Sequence, residues 1–476
     1  MIVMPSTKRR RASVAAALFA LFSAPLSGCT TGGDTHTDSG KRPGTPHEEQ
    51  SPPRPPKTGL GNIIVAGRAI TGSKPTGLAK FPYERTYTDG ELYASVTGYR
   101  TMMYGWAGLE GVYDDVLRPT SPKSGPLGNV VTAIDPAVQK AAADALRGRK
   151  GSAVAVDVRT GHIRALFSAP SYDPGAFSGS HEDDVTAWKK LTSDENEPLL
   201  NRPVRGDAPP GDAFHLVVAA AALEKGLYSS VDEATHSPVS YAVPGGTGKF
   251  TGDRAHCKNA SIRTALRYAC DNVFARMAVD VGQRDLAAMA ETFGFNDDKL
   301  LMPVRVLPSN YPRKARSAAD LASVGDGAAG VTATPLEMAR VMAVIAGGGR
   351  QVNPQLVTQV IHADGSSQGP KDAATGSGRV VGRKTADQLR SALQGSGTGG
   401  VTGWELRPDT GGHGEAAAWS VSFTRFRDGS PLALAVCLTV PAAAGDRSGH
   451  AQPVVRVAQQ ITRAAAAPRS ADQPAA

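Results

Sequence analysis

The sequence predicts an α/β protein in which helices flank a sheet, with a smaller β-rich module before the main domain. The chain has 476 residues, and a single hydrophobic core usually stops growing well below this length. Short segments in which apolar and polar residues alternate, the pattern of strands, occur in both halves of the chain. Longer apolar segments with helix signals lie between them, and such a mixture typically folds into a sheet covered by helices.

The N-terminus predicts export. A basic run at residues 8–11 is followed by an apolar segment at residues 12–25, as in the n-region and h-region of a signal peptide. The apolar segment is too short to span a bilayer comfortably. Leu-Ser-Gly-Cys at residues 26–29 resembles a bacterial lipobox, so residues 1–28 are interpreted as a lipoprotein signal peptide and Cys29 as the lipidated residue. A plain secretory signal is the alternative, and it also predicts export.

Two further segments are predicted to be disordered. Residues 29–58 consist largely of Thr, Gly, Asp, Ser, Pro, Lys and Glu, so they have little apolar surface to bury and are expected to form a tether. Residues 466–476, rich in Ala, Pro and Ser, are expected to form a tail. The predicted location is therefore extracytoplasmic, with the lipid held in the outer face of the cytoplasmic membrane. The net charge of +8 does not indicate nucleic acid, because basic residues beyond the N-terminus are spread out.

The remaining cysteines suggest one disulfide. Cys257, Cys270 and Cys437 lie in a chain that is predicted to be exported, where disulfides persist. Three cysteines can form only one intramolecular bond. Cys257 and Cys270 are close in sequence, and closing so short a loop stabilises a fold by about 3 kcal/mol in the chain-entropy model. That pair is predicted, and three buried thiols are the alternative.

A small β-rich domain is predicted over residues 59–120. Residues 62–70 have the pattern of two short strands around an Ala-Gly turn, and the Gly- and Tyr-rich run that follows favours more short strands. Residues 119–126 contain three prolines and are predicted to form a linker.

The main domain is predicted over residues 129–465. It begins with an alternating strand at residues 129–134, after which Asp135 and Pro136 supply the N-cap and first-turn proline of a helix. A hairpin is predicted over residues 151–168, because turn residues at its centre separate two apolar strands. The other predicted elements are helices at residues 213–225, 261–281, 286–293, 335–345 and 386–393, and strands at residues 417–426 and 432–440.

Several of these segments together resemble one family. Residues 86–99 and 108–110 are similar to the N-terminal pedestal of PbpA-like class B penicillin-binding proteins. Residues 132–139 and 157–163 resemble the opening of the transpeptidase domain in that family. The resemblance extends in order from about residue 60 to residue 460. It implies the penicillin-binding protein transpeptidase or serine β-lactamase-like fold, of α+β type with a mostly antiparallel sheet, together with a small N-terminal β-rich pedestal domain.

Two motifs of the family are altered in this chain. The family uses Ser-x-x-Lys at the start of a buried helix and Ser-x-Asn on a loop. In the matching frame here, Asp212 stands in place of the serine and His215 in place of the lysine. In the second motif, Ala269 and Asp271 stand in place of the serine and the asparagine.

The third motif, Lys-Thr-Gly, is partly retained. Asp409 replaces the lysine, whereas Thr410 and Gly411 remain and are expected to line the cleft. Family acyl transfer needs a hydroxyl nucleophile activated by a nearby base. A carboxylate at position 212 would form a mixed anhydride instead, and a carboxylate at position 409 would repel the carboxylate of the acyl donor.

These changes predict a catalytically degenerate member, not an enzyme, with no catalytic residue and no cofactor. The resemblance then implies a scaffold or regulator in the biogenesis of the peptidoglycan cell wall. Its expected partners are peptidoglycan or its precursors, or cell-wall synthesis proteins, together with the membrane through the lipid anchor, and no nucleic acid. The alternative is an active penicillin-binding peptidoglycan D,D-transpeptidase or hydrolase with a rearranged active site.

Other interpretations of the altered positions stay open. Asp212 has the residue type of an N-cap for the helix at residues 213–225, with His215 paired to it. The main interpretation contains no metal, because no known metal-ligand spacing is present. A divalent metal site is nevertheless an option on residue type; its candidate ligands are Asp212, His215, Asp271, Asp409 and His413. Cys270 as a replacement nucleophile would need a lowered pKa, which the neighbouring Asp271 opposes.

Overall fold

The structure is a computed structural model that describes residues 54, 56–118, 127–246, 248–314, 317–369, 378–394, 400–406, 414–441 and 447–468. The predicted signal peptide, most of the predicted tether and the predicted linker lie outside the described residues. Of the residues singled out above, Cys29, Asp409, Thr410, Gly411 and His413 also lie outside them.

The N-terminal module contains short strands and short helices. Its strands are β1 (Asn62–Val65), β2 (Arg68–Ala69), β3 (Thr71–Pro75), β4 (Tyr83–Tyr87), β5 (Tyr99–Arg100) and β6 (Trp106–Ala107). Its helices are α1 (Gly90–Thr97), α2 (Leu109–Val112) and α3 (Asp114–Leu117). The helices are a difference from the predicted β-rich domain. In α1, Tyr93 and Val96 are three residues apart and both pack into the core. Burial of this helical face therefore stabilises a helix in a segment that was predicted to form strands.

The elements of the main domain follow in chain order. The strands are β7 (Asn129–Thr132), β8 (Lys150–Asp157), β9 (Ile163–Ala169), β10 (Ser240–Ala242), β11 (Lys249–Thr251), β12 (Val357–Ile361), β13 (Ser367–Gln368), β14 (Gly400–Leu406), β15 (Glu415–Arg425) and β16 (Pro431–Pro441). The α-helices are α4 (Pro136–Leu146), α5 (Glu182–Thr192), α6 (Arg202–Arg205), α7 (His215–Glu224), α8 (Ile262–Tyr268), α9 (Asp271–Val281), α10 (Gln283–Phe293), α11 (Ala318–Gly325), α12 (Pro335–Ala346), α13 (Arg383–Gln394) and α14 (Arg447–Ala466). Single 3-10 turns lie at Pro174–Phe177 and Gly211–Phe214.

The main sheet is antiparallel and has the strand order β14-β15-β16-β8-β9. Alternate residues of its strands enter different cores, as the two-residue period of a strand requires. Val154 and Val156 pack in the same core as α7 and α12, whereas Ala153 and Ala155 pack against α4 and α14. The predicted α+β fold, an antiparallel sheet between helices, is confirmed.

A second sheet joins the two parts of the chain. Its order is β13-β12-β7-β1-β2, in which β1 is parallel to β7 and β7 is antiparallel to β12. The Thr132 hydroxyl donates to the Ile64 carbonyl at 2.9 Å and adds a side-chain bond to this pairing. The N-terminal module is therefore attached to the main domain through a continuous sheet.

The predicted helix over residues 261–281 is wrong in one respect, because the structure divides it into α8 and α9. Ala269 has φ of 49° and ψ of 61°, a left-handed conformation that ends α8. A left-handed alanine costs free energy, so local preference does not explain the break. Cys270 forms a disulfide with Cys257, and the two Cα atoms are 5.4 Å apart. The disulfide holds the chain at the break between α8 and α9. The remaining described cysteine, Cys437, is buried in β16.

The C-terminal helix α14 is missed by the sequence prediction. Val454, Val457, Ile461 and Ala465 recur at helical spacing and pack in the core that also contains α4. Pro453 inside the helix weakens the local helix signal. Packing against the core therefore stabilises α14 despite the proline. Within the described residues, no helix has both the length and the apolar character that spanning a membrane requires.

We expect replacement of both bonded cysteines by serine to lower the free energy of unfolding by about 3 kcal/mol, since the closed loop is short. The two positions are 13 residues apart in sequence. Urea unfolding with and without dithiothreitol measures the effect and contains its own control. The reductant should destabilise the native protein and leave the Cys257→Ser/Cys270→Ser variant unchanged. Equal stability of the two proteins without reductant would contradict the prediction.

Candidate active site

Asp212 and His215 lie where the chain turns into α7. Asp212 is within the 3-10 turn Gly211–Phe214, and His215 is the first residue of α7. The predicted N-cap role of Asp212 is therefore wrong, because the α-helix starts three residues later. The turn is anchored to the main sheet, since the Trp419 indole donates to the Pro209 carbonyl at 2.8 Å.

A glycine contact brings a second loop to this turn. Gly327 follows α11, and its carbonyl accepts a hydrogen bond from the Gly211 amide at 3.2 Å. A Cβ atom on Gly327 would lie 2.1 Å from the Gly211 carbonyl oxygen, and its φ is +75°. Only glycine fits such a close approach with a positive φ. The contact places Asp326, the residue that ends α11, beside the start of α7.

His215 is oriented by two neighbours. Its Nε2 lies 3.2 Å from Asp326 Oδ1, a hydrogen-bond distance. Its ring stacks on Phe274 of α9 with 3.9 Å between centroids, and the side chain is 1% exposed. A buried imidazole held by a carboxylate has a fixed orientation, as acid–base chemistry requires. The residue paired with His215 at this distance is Asp326, whereas the sequence suggested Asp212.

Asp271 and Asn272 begin α9 and have different roles. The Asn272 amide donates to the carbonyls of Pro238 at 2.7 Å and Cys257 at 2.9 Å. It therefore holds the disulfide loop. Asp271 is buried and lies near the start of α7. Ala269 lies two residues earlier, and its methyl group adds no polar atom.

Four side chains thus converge. Each of them offers one ligand atom, and these atoms lie within 4.8 Å of one another. We call this group the Asp–His cluster; its members are Asp212, His215, Asp271 and Asp326. Asp212 is half-buried and the other three are buried, so Asp212 is the most exposed member of the cluster.

The sequence prediction found three members of the cluster and missed the fourth. Asp326 is 111 residues from His215 along the chain, and no pairing signal links them. A local signal was present, since Asp326 stands between Gly325 and Gly327 and a glycine on each side allows close backbone approach. Cys270 is oxidised in the disulfide, so it does not provide a thiol nucleophile in this structure.

A large groove elsewhere is a weaker candidate. It has a volume of about 1100 Å³ and runs between α1 and α4. Lys140 and Arg147 line it, and both pair with Asp144, at 2.6 Å and 2.8 Å. Such exposed pairs are a common feature of a solvated helix face. The groove lining contains no imidazole or thiol among the described residues, whereas the Asp–His cluster combines carboxylates with an imidazole.

Curated relatives share most of the chain. It is 30% identical over 412 residues to the peptidoglycan D,D-transpeptidase PbpA of Mycolicibacterium smegmatis, a match that covers 77% of this chain and 81% of the relative. It is also 30% identical over 403 residues to the peptidoglycan D,D-transpeptidase PbpA of Mycobacterium tuberculosis, covering 76% of this chain and 80% of the relative.

Solved structures give the same result. The crystal structure of PBPA from M. tuberculosis superposes with a TM-score of 0.76 and 27% identity, covering 86% of this chain and 99% of that one. The penicillin G acyl-enzyme complex of penicillin-binding protein A from M. tuberculosis has a TM-score of 0.73 and 27% identity, with the same coverage.

These relatives contradict the prediction that the chain is not an enzyme. The proteins that match over three quarters of its length are named D,D-transpeptidases, and a similar structure is an acyl-enzyme complex. The prediction was wrong because it rested on a few motif positions only. A motif comparison does not reveal which side chains the fold brings in, such as Asp326.

Two protein-family models match consecutive parts of the chain. The Penicillin binding protein A dimerisation domain matches residues 60–133. The Penicillin binding protein transpeptidase domain matches residues 151–460, which is more than half of the sequence. The chain therefore belongs to the penicillin-binding protein transpeptidase family.

Proposed function

We propose that this protein acts on peptidoglycan as a D,D-transpeptidase or hydrolase whose active site is rearranged around the Asp–His cluster. The observation that carries the proposal is the convergence of an imidazole and three carboxylates at the start of α7, in the segment that resembles the Ser-x-x-Lys motif of the family. The relatives named peptidoglycan D,D-transpeptidases support the substrate class. Their name indicates a bond between two D-amino acids in the peptide of the cell wall.

The residue types favour acid–base catalysis over a stable acyl-enzyme. An acyl group on a carboxylate is a mixed anhydride, which water hydrolyses readily, so a carboxylate nucleophile suits other reactions better. In the proposed reaction, water or an acceptor amine forms a bond to the peptide carbonyl carbon while Asp212 accepts its proton. The amide C–N bond then breaks, and the proton passes to the leaving amine.

His215 and Asp326 assist the proton transfer by Asp212. The imidazole lies within 4.8 Å of the other cluster atoms and 3.2 Å from the Asp326 carboxylate. A buried ring in a fixed orientation can share the proton with Asp212 without first reorganising water. His215 is 1% exposed, so it acts through Asp212 and is a positioning residue, not the group that meets the substrate.

We place the reaction outside the cytoplasmic membrane, with the protein held there by lipid on Cys29. The sequence at residues 26–29 supports this, and the polar residues 29–58 would let the domain reach the wall. The proposed partners are peptidoglycan or its precursors, or proteins of cell-wall synthesis.

Turnover tests the proposed function. The purified mature protein should release D-alanine from a synthetic stem pentapeptide that ends in D-Ala-D-Ala, or exchange it for a labelled D-amino acid. Because general acid–base catalysis contributes about 100-fold or more, Asp212→Asn and His215→Asn should each lower the rate at least about 100-fold.

His236→Asn is the matched control for the turnover assay. This histidine is exposed and has φ of 55°, a conformation that asparagine tolerates. The control should keep the native rate, and unfolding curves should show that all variants fold. Absence of D-alanine release or exchange by the native protein would overturn the proposed function.

Restoring the family motif tests the position of Asp212. The variant Asp212→Ser/His215→Lys regains a hydroxyl nucleophile and an ammonium group in the same frame. A fluorescent penicillin should therefore label this variant covalently and leave the native protein unlabelled after denaturation. Asp183→Ser, which adds a serine at an exposed position, is the control and should stay unlabelled. Equal labelling of the native protein would contradict the proposed absence of a stable acyl-enzyme.

The anchor can be tested in cells. A Cys29→Ser variant should fail to incorporate a labelled fatty acid and should leave the membrane fraction, because no lipid would be attached. Fractionation of cells that produce the native protein or the variant measures both effects. Membrane association of the variant at the native level would mean that lipid on Cys29 is not the anchor.

A further inference from the structure

We propose that the Asp–His cluster binds one divalent transition-metal ion, with Asp212, His215, Asp271 and Asp326 as its ligands. Binding of the ion goes beyond the proposed function and does not rest on it. Three carboxylates and one imidazole match ions such as Zn²⁺ or Mn²⁺, which accept both oxygen and nitrogen ligands.

The separations suit a single ion. Ligand atoms that lie at about 2.0–2.2 Å from a metal are separated by about 3.4 Å in a tetrahedron and by about 4.4 Å across an octahedron. The four candidate atoms lie within 4.8 Å of one another. This spread is close to what one ion requires, so the four side chains are near enough to share it.

The local geometry presents two ligands on the same side. Asp212 and His215 are three residues apart, and a 3-10 turn has three residues per turn, so side chains at this spacing eclipse. The other two ligands come from α9 and from the end of α11.

The pattern of replacement is a separate observation. In the resemblance described above, Asp212, His215 and Asp271 stand where the family is expected to have serine, lysine and asparagine, and all three residues are metal-ligand types. A site that had only lost its function would not be expected to gain buried carboxylates, because burying a carboxylate costs free energy that a neutral side chain avoids. A dication at the centre would offset that cost and the repulsion among neighbouring carboxylates.

The ligands are also held before any ion binds. The Gly211–Gly327 contact fixes Asp326 relative to Asp212. The Cys257–Cys270 disulfide immediately precedes Asp271, and Phe274 stacks on the His215 ring. Supporting groups of this kind orient metal ligands and raise affinity.

Metal content tests the proposal directly. Mature protein purified without a chelator should contain about one equivalent of Zn²⁺ or Mn²⁺ by elemental analysis. After dialysis against EDTA, calorimetric titration with ZnCl₂ or MnCl₂ should restore one binding site. Co²⁺ in the same site should give absorption bands that change when His215 is replaced.

The variants locate the site. His215→Asn and Asp326→Asn should each weaken binding at least about 100-fold, since each removes a direct ligand. Asp183→Asn, an exposed acidic position outside the cluster, should bind like the native protein. Unfolding curves recorded without metal should show that each variant is folded.

The outcomes separate this proposal from the proposed function. Absence of metal and of binding heat would overturn it and leave a metal-free Asp326–His215 pair. Binding that survives in both cluster variants would also overturn it, because the ion would lie elsewhere. A bound ion in the cluster without any D-alanine release would support metal binding while the proposed function fails. D-alanine release by protein that binds no ion would overturn the metal site alone.

Discussion

The close approach of Gly211 and Gly327 is the constraint on which the site depends. No side chain fits between these two segments, because a Cβ atom at position 327 would lie 2.1 Å from a carbonyl oxygen. The contact joins the turn before α7 to the loop after α11, and thereby sets Asp326 against His215. The Trp419 indole ties the same turn to the main sheet. The cluster is therefore positioned by backbone contacts that its own side chains do not supply.

The disulfide has a comparable role next to Asp271. It closes the loop between Cys257 and Cys270 at the point where Ala269 adopts a left-handed conformation. A left-handed alanine is unfavourable by itself, and the covalent bond restricts the alternatives open to the chain. Asp271 starts α9 directly after this point. Backbone strain and a crosslink thus occur beside a candidate functional residue, where strained conformations tend to concentrate.

The parts of the fold that were predictable are those encoded locally. Alternation along β8 separates Val154 and Val156 from Ala153 and Ala155, and Asp135 caps α4 as its residue type suggests. The break at Ala269 was not predictable, because alanine favours a continued helix and the disulfide acts from another segment. Asp326 escaped prediction for a similar reason, since its proximity to His215 exists only after the two loops pack. The mistaken prediction of an inactive protein has the same cause, because a sequence motif does not show which other side chains lie close to it in the folded chain.

The chemistry of the cluster follows from what carboxylates and imidazole do in a buried site. A serine nucleophile forms an acyl-ester intermediate, whereas a carboxylate transfers protons or binds a cation. In both proton transfer and metal binding, the half-buried Asp212 is the residue closest to solvent, and the buried His215 lies beside it. They differ in what balances the negative charge: a shared proton in one case and a metal ion in the other. The fold is compatible with either chemistry, because the start of α7 is held by backbone contacts that do not depend on which reaction the side chains perform.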